Sequence, residues 1–193
     1  MADGIKEFSK EWSKERSEAC LEAFPQWLAS LNEDTIALAT LLVMDAIPDQ
    51  ARRHVAGALQ YLSKSLDLIP DGIEDLGYLD DAFVLRVASS LAVQCPGAHD
   101  AEVRGILARL AAETELIEQL LDSDYPRLVN YVRTLEKGAA HGRSVQELID
   151  DSKVRNEMIH GLHAWSRKYQ APSIHRDEQT LIKLKSFLSA RLS

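Results

Sequence analysis

The chemistry that this chain could perform depends on four aspartates in and beside one short connection. They are Asp67, Asp71, Asp80 and Asp81. If helices flank this connection, the four carboxylates meet at one end of a hairpin, where they repel one another unless a cation or a base joins them. Clusters of oxygen ligands suit Mg²⁺, Mn²⁺ or Ca²⁺. A divalent-metal site is therefore one interpretation of the pattern, and metal-assisted hydrolysis is the reaction that such a site could support.

The same aspartates also have a structural interpretation, which we favour. Pro70, Asp71 and Gly72 form a turn signal, because proline presets one torsion and glycine permits a positive φ. Asp80 and Asp81 fall at the start of the next helix, where a carboxylate can cap free N–H groups and face the positive end of the helix dipole. The spacing is neither that of an EF-hand loop nor that of a DDxxD motif. We therefore expect these acids to serve mainly as caps and turn residues.

A second group of metal-ligand types lies in the C-terminal half. His160 and His163 are three residues apart, Glu157 lies one turn earlier, and His141 or His175 would have to supply a third ligand. The HExxH arrangement of zinc hydrolases is absent. We therefore interpret these histidines as helix-surface and partly buried side chains rather than as ligands.

No other catalytic or cofactor-binding signature is present. The sequence contains no nucleophile elbow and neither of the two glycine-rich nucleotide fingerprints, so no catalytic or cofactor-binding residue is predicted. Trp12, Trp27 and Trp165 are interpreted as core or interface anchors, because no basic residues interleave with them to form a nucleic-acid groove. These observations favour a non-enzymatic protein without deciding the point.

Composition narrows the class of protein further. The chain has 193 residues, 46% of them hydrophobic, and a formal net charge of −8. The excess of acids argues against sequence-independent binding to nucleic acid, which needs a positive face. The most apolar run is too short to span a membrane, and the two cysteines have no metal-like spacing. We expect a cytoplasmic protein with reduced thiols. The residues name no partner and fix no oligomeric state.

Helical periodicity runs through almost the whole chain, and no segment alternates with the period of a strand. Pro25 is expected to kink or divide the first helix, and Asn32, Glu33 and Asp34 are expected to cap the second. The predicted helices cover residues 5–28, 35–47, 50–66, 80–94, 101–121, 124–138, a short run after Ser144, 152–169 and 176–191. Ser144 and Glu147 form a capping box for the short one.

These elements predict an all-α protein, a single globular bundle of about eight or nine helices. We expect one helical domain over residues 1–193. Its centre is an antiparallel helical hairpin at 50–95, and the helices of 1–49 and 96–193 pack on it. Such a hairpin would bring the ends that carry the acids together.

The connection resembles the signature of the YkvA family, a helical domain of unknown function (number 1232). The resemblance covers roughly residues 50–90. It rests on Tyr61-Leu62, Asp67-Leu68-Ile69-Pro70-Asp71 and Leu76-Gly77-Tyr78-Leu79-Asp80-Asp81. It implies a small helical hairpin module and brings no established activity, substrate or cofactor. The family usually has proline where this chain has Ser65, and often another where it has Glu74.

We therefore expect an interaction or scaffold module for an unknown protein partner, in which the acidic connection is mainly structural. The alternative is a divalent-metal-binding protein, with a metal-dependent hydrolase as its enzymatic form, that uses the four aspartates as ligands.

Overall fold

A computed structural model describes residues 14–63, 68–69, 73, 76–98 and 100–192. The all-α prediction is confirmed. The helices are α1 (Lys14–Leu41), α2 (Asp49–Tyr61), α3 (Leu79–Val93), α4 (Ala101–Ala112), α5 (Thr114–Leu121), α6 (Tyr125–Leu135), α7 (Val145–Asp150), α8 (Ser152–Ser166) and α9 (Glu178–Arg191). Within the described residues, none of these helices combines the length and apolar character needed to cross a membrane.

The N-terminal region corrects the sequence prediction, because α1 is one continuous helix where we expected two. Pro25 lies inside it, and the predicted cap at Asp34 is a buried side chain in its interior. Phe24 and Trp27 continue the buried face past the proline, and both contact the ring of Phe83. Burial of this face therefore outweighs the cost of a proline within a helix, about 3 kcal/mol.

Helices α2 and α3 form the predicted hairpin at the centre of the bundle. They pack against each other, and α3 also packs along α4. The C-terminal end of α2 meets the N-terminal end of α3, since the Tyr61 hydroxyl reaches the Asp80 carboxylate. The prediction that α2 extends to residue 66 is wrong in part, because the helix ends at Tyr61. Residues 64–67 lie outside the described part.

Gly57 sets the distance between α2 and α6. A Cβ atom at this position would lie 2.8 Å from the carbonyl carbon of Leu135 and 2.9 Å from its oxygen. Real side chains do not approach backbone so closely, so only glycine allows this contact. This close approach places the C-terminal end of α6 directly against α2.

Two further boundaries differ from the sequence prediction. The helix expected over 101–121 is divided into α4 and α5 at Glu113, whose carboxylate turns to Arg86. No strand was predicted, yet Ala139–Ala140 (β1) pairs with Arg143–Ser144 (β2) in an antiparallel hairpin. His141 and Gly142 form its loop with φ of 50° and 74°, the positive pair that a type I′ turn requires. The strands are too short to show alternation.

The local signal at the start of the short helix is confirmed. Ser144 and Glu147 form the predicted capping box at the start of α7. The two cysteines are free, and burial raises the pKa of the Cys20 thiol to about 12.

Candidate functional site

The acidic connection is held by a buried cluster around Asp80. The Asp80 side chain is fully buried, and its Oδ2 accepts hydrogen bonds from the Tyr61 hydroxyl at 2.5 Å and from the Ile69 N–H at 2.9 Å. The Tyr61 oxygen in turn accepts from the Leu68 N–H at 2.7 Å. One carboxylate and one phenol thus join α2, the connection and α3. The hydrogen bonds of Asp80 therefore link α3 to α2 and to the connection between them.

Burial and the neighbouring carboxylate keep the Tyr61 phenol protonated. Burial, and after it the Asp80 carboxylate, raises the pKa of Tyr61 far above its usual value. The hydroxyl therefore stays a donor. Asp81 is also buried. The pKa of Tyr169 is raised mainly by burial, then by Tyr78 and then by the charge of Asp81. Both aspartates lie in the first turn of α3, where the helix dipole favours negative charge.

The predicted capping role of Asp80 needs correction. The N-cap residue of α3 is Tyr78, whose φ is 66° and whose side chain makes no capping hydrogen bond. Oδ2 of Asp80 accepts hydrogen bonds from α2 and from the connection. The Ile69 N–H is buried and lies outside any helix or strand, so it needs an acceptor, and Oδ2 of Asp80 provides one.

Only part of the predicted metal site lies within the described residues. Asp67 and Asp71 fall outside them, whereas Asp80 and Asp81 are adjacent in α3. Among the residues that the structure describes, no group of three or more His, Cys, Asp or Glu side chains is arranged to hold a metal ion. His160 and His163 are exposed residues of α8.

A second buried polar cluster lies deeper in the bundle and was not predicted. The guanidinium of Arg86 is fully buried; its Nε donates to Glu113 at 2.6 Å and its Nη2 to Asp34 at 3.4 Å. Arg109 donates to the other oxygen of Asp34 at 2.6 Å. Arg86 also lies 4.2 Å from the ring centroid of Trp27. We call these four charged residues, Asp34, Arg86, Arg109 and Glu113, the core charge cluster.

The core charge cluster is complete in itself. Burial lowers the pKa of Arg86, and the carboxylates of Glu113 and Asp34 oppose that shift. Two cations face two anions, and Ser30 donates a further bond to Asp34 at 3.0 Å. Such a cluster fixes the packing of α1, α3 and α4, and its charges are paired with one another.

A cavity of about 500 Å³ lies at the hairpin end beside the Asp80 cluster. Its lining comes from the end of α2, from Tyr78, from the β-hairpin and from α7 and α8. The apolar part includes Leu62, Met158 and Trp165. A cavity of this size, mostly apolar with a few polar groups, is typical of small-ligand sites.

Gln60 is the most unusual polar group of the cavity. The residue is only 3% exposed, and its Nε2 donates to the carbonyl oxygen of Arg143 at 2.9 Å. Its Oε1 is buried and has no donor among the described residues. The amide cannot simply be turned over, since that would place two acceptor oxygens together. A buried acceptor without a partner costs about 1–3 kcal/mol, which needs an explanation.

The other polar groups at the cavity lie near its mouth. His141 is exposed, and its Nε2 lies 2.5 Å from the carbonyl oxygen of Ser63. Arg143 and Glu157 face each other at 3.8 Å, and both side chains are about half exposed. His141 and Glu157 were considered as metal ligands from the sequence. The structure brings both to this cavity, whereas His160 and His163 do not line it.

Sequence reasoning missed the cavity because its walls come from segments that carry no motif. Gln60 follows Leu59 on an amphipathic helix, which is the pattern of a solvent-facing residue. The one signal was GAAHGR, which was recognised as a loop. Nothing in its local pattern shows that it folds back onto the end of α2.

Comparison with known proteins supports the resemblance seen in the sequence. Residues 51–86 match a family described as "Protein of unknown function (DUF1232)". The matched segment spans α2, the connection and the first half of α3. It includes Gly57, Gln60, Tyr61, Asp80 and Arg86. Comparison with curated proteins and with solved structures gives no significant match.

Proposed function

We propose that this chain, whose residues 51–86 form a DUF1232 segment, is a non-catalytic binding module. In this proposal the acidic connection holds the hairpin together, and the cavity beside it receives a ligand. The observation that carries the proposal is the cavity of about 500 Å³, built jointly by the family segment and by the helices that follow it. The free cysteines fit a reducing, cytoplasmic compartment, which is part of the proposal.

The polar groups at the cavity favour binding over catalysis. The Ser63 hydroxyl donates to the carbonyl of Leu59 at 3.4 Å, and His141 contacts the Ser63 carbonyl rather than its hydroxyl. A nucleophile needs a base within hydrogen-bond reach of its own proton. Among the described residues that line the cavity, serine and histidine are therefore not arranged as a nucleophile and its base.

Gly161 provides a clean way to close the cavity. It lines the cavity from α8, and a Cβ at this position would meet no atom within 4 Å. Gly105 in α4 is equally open and does not line the cavity. A leucine at either position gives the same change of residue in a helix, but only the leucine at 161 occupies space at the cavity.

The test is a fluorescence titration with N-phenyl-1-naphthylamine, a neutral apolar probe that brightens in apolar surroundings. We expect saturable binding to the wild-type protein and to Gly105→Leu. Gly161→Leu should weaken binding about tenfold or more, since side chains that fill a pocket exclude the ligand from its contacts. Equal binding to both variants, or no saturable binding to the folded wild type, would refute the proposed function.

A further inference from the structure

Two accessible side chains of opposite charge line the cavity. Arg143 comes from β2 and Glu157 from α8. Their nearest charged atoms, Nη2 of the arginine and Oε2 of the glutamate, lie 3.8 Å apart, which is too far for a hydrogen bond. The two side chains are 52% and 55% exposed, so a ligand in the cavity can reach both of them.

This pair has bonding capacity that the described part of the chain does not use. Within that part, the loose contact between the two groups is the polar contact seen for each charged end. A guanidinium carries five N–H donors, and a carboxylate has two acceptor oxygens. An exposed ion pair of this kind contributes little to stability, so a ligand can separate the two groups at small cost.

The backbone that carries Arg143 is fixed, although its side chain is not. Its carbonyl oxygen accepts the Nε2 hydrogen bond of Gln60 at 2.9 Å, and the residue pairs with Ala140 in the β-hairpin. The next residue, Ser144, belongs to the capping box of α7. Glu157 lies within the 15-residue helix α8. Both charged side chains therefore extend from well-defined elements, which keeps them close together at the cavity.

Their closeness favours a ligand that carries both charges. An anion bound to Arg143 alone would lie beside Glu157, and a cation bound to Glu157 alone would lie beside Arg143, and like charges repel. A zwitterion avoids both repulsions. Its carboxylate matches the planar fork of the arginine, and its ammonium group donates to the glutamate. Because the two protein groups are only 3.8 Å apart, the charges of the ligand must also be close together, as on an α-amino acid.

The rest of the lining suits a large apolar side chain. Gly161 lies one turn after Glu157 and Trp165 two turns after it, so one face of α8 leads from the charged pair to an aromatic ring. Tyr78 also lines the cavity, and its ring centroid lies 6.4 Å from that of Trp165 with the planes inclined at 60°. Rings at such spacings suit contact with a further ring, and the flexible Met158 can adapt to it.

We infer that the cavity binds a zwitterionic small molecule of the α-amino acid class. Its carboxylate binds Arg143, its ammonium group binds Glu157, and its large, aromatic side chain lies in the cavity beside Trp165. This inference rests on the proposed function, because it assigns a ligand class to the same cavity. It goes beyond that function by making recognition depend on two opposite charges.

The experiment is isothermal titration calorimetry of the intact protein with three compounds that share one indole ring. They are L-tryptophan, tryptamine, which lacks the carboxylate, and indole-3-propionate, which lacks the ammonium group. We expect L-tryptophan to bind the wild type about tenfold more tightly than either of the others, because each of them loses one charge-assisted contact and keeps one repulsion.

Two substitutions assign the two contacts. Arg143→Gln should lower the affinity for L-tryptophan to about that for tryptamine, and Glu157→Gln should lower it to about that for indole-3-propionate. Arg127→Gln is the control, since Arg127 is 57% exposed, is also paired with an acid and does not line the cavity. It should keep both wild-type ratios. Substitutions of exposed side chains such as these leave the fold intact.

The outcomes separate this inference from the proposed function. Equal affinity of the wild type for the three compounds would overturn the inference, because only the indole ring would then be recognised. A preference for tryptamine or for indole-3-propionate would overturn it too, since the cavity would then select a single charge. So would a preference for L-tryptophan that survives both substitutions. If none of the three compounds binds, the ligand class is wrong, whereas the proposed function fails only if the naphthylamine test fails.

Discussion

Two polar regions of this protein each contain buried side chains, and they differ in how completely the buried atoms are paired. The core charge cluster joins Asp34, Arg86, Arg109 and Glu113 in a set of mutual hydrogen bonds. At the cavity, Gln60 is about as buried as Asp34 and Arg86, yet one of its two polar ends has no donor among the described residues. A closed set stabilises the fold, and an open one next to a cavity is where a ligand is expected.

Gly57 and Gly161 show the same contrast in backbone packing. Gly57 lies against the backbone of Leu135, whereas Gly161 faces empty space at the cavity. At Gly57 the packing is so close that no side-chain atom can be added. At Gly161 there is room for an added atom, and Gly161 and Gln60 both line the cavity.

The largest effect should come from opening the core charge cluster. Arg86→Met keeps the volume but leaves Glu113 and Asp34 without their buried cation, and we expect a loss of about 3–5 kcal/mol in the free energy of unfolding. Arg133→Met is the control, since Arg133 is exposed and its guanidinium donates to the side chain of Asn130. Urea denaturation measures both. A loss at 86 no larger than at 133 would show that the cluster is not structural.

The next effect concerns the Asp80 cluster. Asp80→Ala leaves the Tyr61 hydroxyl and the Ile69 N–H without their acceptor, and we expect a loss of about 3 kcal/mol. Asp80→Asn keeps an oxygen that can accept both bonds, so it should cost about 1 kcal/mol. The same denaturation experiment compares them. If asparagine is as damaging as alanine, the negative charge itself is needed and the hydrogen-bond account fails.

The glycine contrast should give effects of opposite sign. Gly57→Ala forces a methyl group into the Leu135 backbone and should cost about 1–3 kcal/mol. Gly161→Ala meets nothing and should stabilise its helix by about 0.5–1 kcal/mol. Thermal unfolding of the two variants beside the wild type is sufficient. A stabilising Gly57→Ala would mean that α2 and α6 are not in close contact.

The smallest effect should be that of divalent cations. A site at Asp67, Asp71, Asp80 and Asp81 predicts that millimolar Mg²⁺, Mn²⁺ or Ca²⁺ raises the melting temperature by mass action. We expect no rise, because two protein donors already hold Oδ2 of Asp80. A rise that Asp80→Asn abolishes would contradict us and support the metal-binding alternative. This measurement also tests the two aspartates that lie outside the described residues.

Much of the fold follows from local patterns, because helix periodicity and caps act over a few residues. The capping box at Ser144 and the helical hairpin were predicted for this reason, and the family resemblance pointed to the same hairpin. Asp34 shows where this reasoning ends. Its local context resembles a cap, but its partner Arg109 is 75 residues away, so only the folded chain shows what it does.

The candidate site was predictable in part for the same reason. Asp80 was singled out as a residue of the hairpin end, and it lies there, although it holds the connection rather than capping its helix. Gln60 and the cavity could not be predicted. Their meaning depends on β1, β2 and α8 folding back onto the end of α2, and such long-range packing leaves no periodic trace in the sequence.

The most direct test of the central claim is an NMR titration that follows the methionine methyl groups. The chain has three methionines; Met158 lines the cavity, and Met44 packs against the core elsewhere. With ¹³C-methyl-labelled protein, N-phenyl-1-naphthylamine should shift the Met158 resonance and leave that of Met44 unchanged. A shift of Met44 without one of Met158, or saturable binding that moves neither, would show that the cavity is not the binding site.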